Sequence, residues 1–222
     1  MKNDKAKRLL ITFSVTAGLF IAVLVAFGII IAGHEVTDAS EAVVTIDNLV
    51  INNGKAELTW NCDNAKVTSY RIKKTESQGN AEAIPVAFYH KYYQDTLESG
   101  KTYTYTVCAV NTITDGISSP SNEIAISFDA SAEIIPLEKQ KPIMNALSDG
   151  KLTWEPLKNT AYTTYALYKR QDESCDWDIE EILTPLTTKY QGESGCEYKL
   201  IVRCIIGDTI IRSQESEIVE VI

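Results

Sequence analysis

The stretch Tyr92–Ile124, YYQDTLESGKTYTYTVCAVNTITDGISSPSNEI, decides how the chain folds. It opens on a turn at Glu98-Ser99-Gly100. It continues as a run in which Tyr103, Tyr105, Val107 and Ala109 place an apolar or aromatic side chain at every second position. Strict alternation puts those side chains on one face of a strand, with the intervening residues facing the other way. A loop containing Gly116 follows, then a segment with Ser118, Pro120 and Ser121 that starts a second strand.

Upstream, Val43–Val50 is a plausible opening strand and Asn52-Asn53-Gly54 a hairpin turn. In Leu58-Thr59-Trp60 the Leu and Trp share one face, and Tyr70-Arg71-Ile72 begins ten residues after the Trp. Taken in this order, the four elements resemble a fibronectin type III domain. Asp95-Thr96-Leu97 departs from that pattern by being one residue short before the turn. The resemblance implies an immunoglobulin-like β-sandwich over residues 43–128. In it Trp60 fills the space between sheets about 10 Å apart, and Tyr103 closes a tyrosine corner.

Residues 142–222 repeat the unit. Gly150-Lys151-Leu152-Thr153-Trp154 echoes the segment ending at Trp60. Trp60 and Trp154 are 94 positions apart, while Tyr70 and Tyr165, like Tyr103 and Tyr198, are 95 apart. A near-constant offset at separated landmarks marks an internal repeat. Trp60, Tyr103, Trp154 and Tyr198 are therefore expected in the cores. The strand before Tyr198 is less typical, since Gly192 stands where Leu97 would. The linker 129–141 carries Pro136 and is expected to be extended and semi-rigid. The fold class is all-β: two tandem fibronectin type III-like sandwiches, preceded by one transmembrane α-helix.

That helix is read from Leu9–Ala32, an uncharged run of 24 residues. At about 1.5 Å per residue it reaches roughly 36 Å, enough for a hydrocarbon core of about 30 Å. Lys2, Lys5, Lys7 and Arg8 precede it in the tail 1–8, and after it no Lys or Arg appears until Lys55. The positive-inside rule then leaves the N-terminus in the cytoplasm. The juxtamembrane segment 33–42 and both modules fall outside the cell membrane. A cleaved signal peptide normally has a shorter apolar region, although Thr37-Asp38-Ala39 is a weak cleavage site. Ser14, Gly18, Ala22 and Ala26 line one helix face with small side chains, the pattern for helix–helix contact and a homo-oligomer.

The formal charge of −9 argues against nucleic acid, whose phosphates need a basic face. The only histidines are His34 and His90. No Ser/His/Asp or Cys/His set, paired catalytic carboxylates, zinc-ligand spacing or phosphate-binding glycine loop occurs, so no catalytic residue, cofactor or metal is expected. Phe88, Tyr89, Tyr92 and Tyr93 surround His90, and two readings compete. They form either an aromatic binding surface or one strand whose alternate aromatics face the core. Trp177 lies within six carboxylates, Asp172, Glu173, Asp176, Asp178, Glu180 and Glu181, read as a solvated hairpin. The resemblance also implies a disulfide between Cys175 and Cys196, at the same end of neighbouring strands. Pairing of Cys62 with Cys108 stays open. The expected function is non-enzymatic: display of two modules for adhesion, spacing or scaffolding toward a protein partner or cell-surface ligand. Two alternatives are a structural subunit assembling through the helix, and a cleaved, secreted accessory (carbohydrate-binding) module.

Overall fold

The computed structural model describes residues 39–63, 66–77, 79 and 81–222. The expected span 9–32, with Ser14, Gly18, Ala22 and Ala26, lies outside the described residues. Among the described residues no helix is long and apolar enough to cross a membrane.

The described residues of the first module form eight strands: β1 (Val44–Asn52), β2 (Lys55–Cys62), β3 (Ser69–Glu76), β4 (Ala81–Ala87), β5 (Tyr92–Thr96), β6 (Lys101–Asn111), β7 (Gly116–Ile117) and β8 (Ile124–Phe128). One sheet has the order β1-β2-β5, and the facing sheet runs β8-β6-β3-β4, with β7 paired to β6. Asn53 and Gly54 both take positive φ, 49° and 73°, as the two-residue turn between β1 and β2 requires. The alternation in β6 buries Tyr103, Tyr105, Val107 and Ala109 completely or nearly so. Trp60 on one sheet meets Tyr70 on the other edge-on, with ring centroids 5.4 Å apart. At the solvent edge, β4 carries Pro85, a residue that blunts an edge strand because it cannot donate to a further ladder.

The second module repeats the plan with β9 (Met144–Ala146), β10 (Lys151–Trp154), β11 (Ala161–Tyr162), β12 (Thr164–Arg170), β13 (Asp178–Leu183), β14 (Lys189–Gln191), β15 (Glu197–Ile206), β16 (Thr209–Arg212) and β17 (Val219–Glu220). Its sheets are β9-β10-β14 and β13-β12-β15-β16, with β17 on β15. Trp154 and Tyr165 form the same inter-sheet pair at 5.6 Å. Each module closes a tyrosine corner. Tyr103 Oη accepts from Glu98 N at 3.2 Å and Tyr198 Oη from Glu193 N at 2.9 Å. Gly192 has a physical reason for lacking a side chain: a Cβ there would lie 2.8 Å from Val221 Cγ2. Val221 is fully buried.

Paired serines are a second shared device. Ser118 and Ser121 accept the β6 amides of Ala109 and Val107, while Ser213 and Ser216 accept the β15 amides of Val202 and Leu200, all at 2.9–3.0 Å. Each of these serines also donates its own amide back to the strand it faces. The hydroxyl thus replaces a missing carbonyl where the last strand leaves the ladder, and these four strand amides keep a partner.

The linker is not the simple spacer expected of it. Leu137, in a 3-10 turn over Leu137–Lys139, is buried. β11 pairs antiparallel with β8, Ala161 opposite Ile126 and Tyr162 opposite Ala125, so the second module adds a strand to the sheet of the first. The buried Asn159 sits just before it at φ 54°. Its Oδ1 accepts from Asp129 N at 2.9 Å, and its Nδ2 donates to Asp129 O and Ala132 O at 2.8 Å each. Asp129 pairs with Lys158 at 3.0 Å and accepts both the amide and the hydroxyl of Ser131. A crevice of about 320 Å³ bordered by Leu49, Ile126, Leu137, Cys204 and Ile211 runs along this seam. Burial of Leu137 holds the connection on the seam, while Ile134 and Ile135 beside it stay exposed.

Candidate functional site

Strand register gathers several loops at one pole of the first module. Ala87 lies opposite Ser69, and Ser69 opposite Val110. The turn after β4 and the loop after β6 therefore emerge side by side. Thr68 Oγ1, just before β3, fastens the loop after β6 by accepting from Thr112 N at 2.8 Å. At the same level Val43 N donates to Asp63 Oδ1 at 2.9 Å, and Lys91 Nζ donates to Asn61 Oδ1 at 3.0 Å. The chain enters here through a 3-10 turn at Ala39–Glu41, with Ala39 fully buried.

This pole carries the aromatics around His90. Phe88, Tyr89 and Tyr92 are exposed, and only Tyr93 is half-buried against the core. The reading of one strand with core-facing aromatics is therefore corrected. Residues between β4 and β5 form a turn closed by His90 N donating to Ala87 O at 3.0 Å. Chain reversal turns Phe88 and Tyr89 outward, where Phe88 meets Tyr89 edge-on at 5.4 Å and Tyr89 packs on His90 at 4.4 Å. Val43 and Ile113 are exposed on the same pole. The isolated Ile113, between Asn111 and Asp115, gave no periodic signal in the sequence.

Below the pole, the first module holds a polar cluster at the sheet edge. Asp95 accepts from Tyr105 Oη at 2.6 Å and pairs with Lys74 at 2.6 Å. Lys74 also lies over the Tyr103 ring, 4.6 Å from its centroid. Burial first, and then the Asp95 hydrogen bond, pushes the Tyr105 phenol well above its ordinary range. It is a fixed donor, not an acid–base group. In the second module Glu180 takes the carboxylate's place, accepting from Tyr190 Oη at 2.8 Å and lying 3.6 Å from Lys169.

Trp177 is half-buried between Arg170 and Lys199, whose cations lie 4.6 and 4.7 Å from its ring centroid. Of the acids around it, Asp172 caps the hairpin by accepting from Ser174 N and Oγ, and its carboxyl is held below its usual range mainly by those bonds. Among the described residues no group of three or more His, Cys, Asp or Glu is placed to hold a metal ion.

All five cysteines are free thiols. The disulfide implied between Cys175 and Cys196 is not formed. Arg170 is the last residue of β12 opposite β15, paired with Glu197, and the hairpin carries Cys175 five residues beyond it. Cys175 then sits exposed in the hairpin turn, its amide on Asp172 O, while Cys196 is buried at the corner. Cys62 and Cys108 lie on opposite sheets, each half-buried. Burial raises the Cys204 thiol to about 11, so it remains protonated at neutral pH.

Trp60, Tyr103, Trp154 and Tyr198 are structural. All four are buried, and none lines the exposed pole.

No protein-family model and no curated protein matches the chain. Among solved structures, it is similar to a two-domain fibronectin type III segment of chicken tenascin. That match is 14% identical and covers 79% of this chain and 98% of that one, at a TM-score of 0.32. The FN1–FN3 domains of chicken CNTN1 are 14% identical over 78% of this chain and 63% of theirs, at 0.31. A Fn3-like protein from Clostridium thermocellum is 26% identical over 39% of this chain and 91% of its own, at 0.30. At such TM-scores the fold rests on what the chain itself displays: the sheet orders, the repeated Trp–Tyr pairs and the two tyrosine corners.

Proposed function

We propose that the chain is a non-enzymatic, single-pass membrane protein that displays its two sandwiches outside the cell as a scaffold for a protein partner. The seam carries this reading. Strand pairing between β8 and β11, with Asn159 and Leu137 buried beside it, joins the modules into one body. A body of that kind holds its distal surfaces in a fixed register, which favours spacing or scaffolding over a flexible tether. The uncharged run 9–32, with basic residues close by only on its N-terminal side, supplies the anchor and the orientation. Protease added to intact cells should therefore digest both modules and leave a small protected fragment containing residues 9–32. Survival of both modules until the cells are lysed would refute the orientation.

A further inference from the structure

The geometry points to a second membrane contact: the loop pole of the first module rests on the lipid surface through Phe88, Tyr89, Ile113 and Val43. This inference rests on the membrane anchor proposed above.

Two independent features meet at this pole. One is exposure: Phe88 is 56%, Tyr89 70%, Ile113 85% and Val43 61% exposed, four large apolar side chains at one end of the module. Phe88 and Tyr89 are held edge-on to each other, so they form a small fixed surface. The other feature is the length of chain leading here. Only the six residues Gly33–Asp38 separate the end of the apolar run at Ala32 from the buried Ala39, and fully extended they reach about 25 Å at most. A tether this short keeps the pole within reach of the headgroups. Aromatic rings with one apolar body and one polar tip, such as Tyr89 and Tyr92, favour that layer.

The charges at the pole are mixed. Lys66 and Lys91 are offset by Asp63, Asp115 and Glu41, so the attraction is apolar and does not need anionic lipid. A lipid surface suits this better than a charged protein face, and the contact orients the whole two-module body relative to the membrane.

The test uses the full-length chain carrying Phe88→Trp, reconstituted in phosphatidylcholine vesicles whose acyl chains are plain or brominated near the headgroup. Bromine quenches an indole only on close approach. The emission added over the parent, which already has Trp60, Trp154 and Trp177, should be lost in the brominated vesicles. The control Leu147→Trp, an exposed site in the second module, should keep its emission. Adding Tyr89→Asp and Ile113→Asp to Phe88→Trp should restore the lost signal. Flotation of the vesicles reads the anchor separately. Protein that floats with an unquenched Phe88→Trp reporter overturns the contact while the anchor stands, and leaves the pole to a protein partner. Protein that fails to float overturns the anchor and this contact with it.

Discussion

Asn159→Ala attacks the seam at its most concentrated point. Asn159 is 4% exposed and makes three side-chain hydrogen bonds, one accepted from Asp129 N and two donated to Asp129 O and Ala132 O. Each is worth about 0.5–1.5 kcal/mol net, so their loss costs about 3 kcal/mol. The residue also sits at φ 54°, which Asn tolerates and Ala does not, adding about 1 kcal/mol. The expected total is about 4 kcal/mol. Asn159→Gly, which keeps the conformation and loses only the bonds, should cost about 1 kcal/mol less. Urea unfolding of the full chain in detergent, followed by tryptophan fluorescence, measures both variants. Trp60 reports one module, and Trp154 and Trp177 the other. With a slope of about 2 kcal/mol per molar urea, Asn159→Ala should lower the midpoint by about 2 M. The first and second modules should then melt apart. A midpoint within about 0.3 M of the parent would refute the argument that this residue joins the modules.

Gly192→Ala should destabilise the second module by about 1–3 kcal/mol, because its Cβ would meet Val221 Cγ2 at 2.8 Å. Thermal melts should show Val221→Ala in the same chain recovering part of that loss, and no recovery would mean the clash is misplaced. Asp95→Ala should cost about 3–5 kcal/mol, since it strands the mostly buried Lys74 ammonium. Tyr105→Phe leaves that ion pair intact and should cost only about 1.5–3 kcal/mol. Equal losses in urea would place the energy elsewhere. The Asp129 carboxyl is held down to about 2, first by the Ser131 hydroxyl, then by the Ser131 amide and Lys158. A depressed folded pKa stabilises above the unfolded value of about 3.9 and is lost as pH falls toward 2. The seam should therefore loosen between about pH 4 and 2, and Asp129→Asn should flatten that part of the stability–pH curve.

Much of the fold was legible because it is written in short-range periodicity. Tyr103, Tyr105, Val107 and Ala109 alternate, and a strand with one face in a core has no other way to sort them. Trp60 and Trp154 could be paired across the repeat because each stands two residues after a leucine on the same strand face. Gly192 was flagged as the odd residue but could not be explained, since its partner Val221 lies in the last strand. The tyrosine corners were anticipated for Tyr103 and Tyr198, but the serine devices at Ser118, Ser121, Ser213 and Ser216 were not. A serine facing a strand amide looks, in sequence, like any other loop serine. The hairpin at Asp172–Trp177 misled the cysteine argument. That argument assumed the strand ends run level, whereas one side chain ends in solvent and the other in the core.

The pole and the seam were hidden for a common reason: both are made by residues that are distant in sequence and near only after folding. Ile113 has no periodic neighbour, and Phe88 looked like strand because the aromatics around it fit an alternating pattern. Chain reversal at His90 breaks that pattern, and a reversal built from Tyr, His and Lys carries no glycine or proline to announce it. Asn159 did carry a faint mark, an Asn after Lys158 and before the short β11, since Asn is the residue other than Gly that best tolerates a left-handed turn. Its purpose becomes clear only with Asp129 opposite. The first sandwich leaves the edge of β8 open, and open edges invite pairing with other chains. Here the second module supplies Ala161 and Tyr162 to that edge, and Tyr162 buries its ring against Tyr165 at 5.4 Å. One dipeptide therefore closes the exposed edge of one module while anchoring itself in the core of the other, and neither module can shift without breaking both sets of contacts.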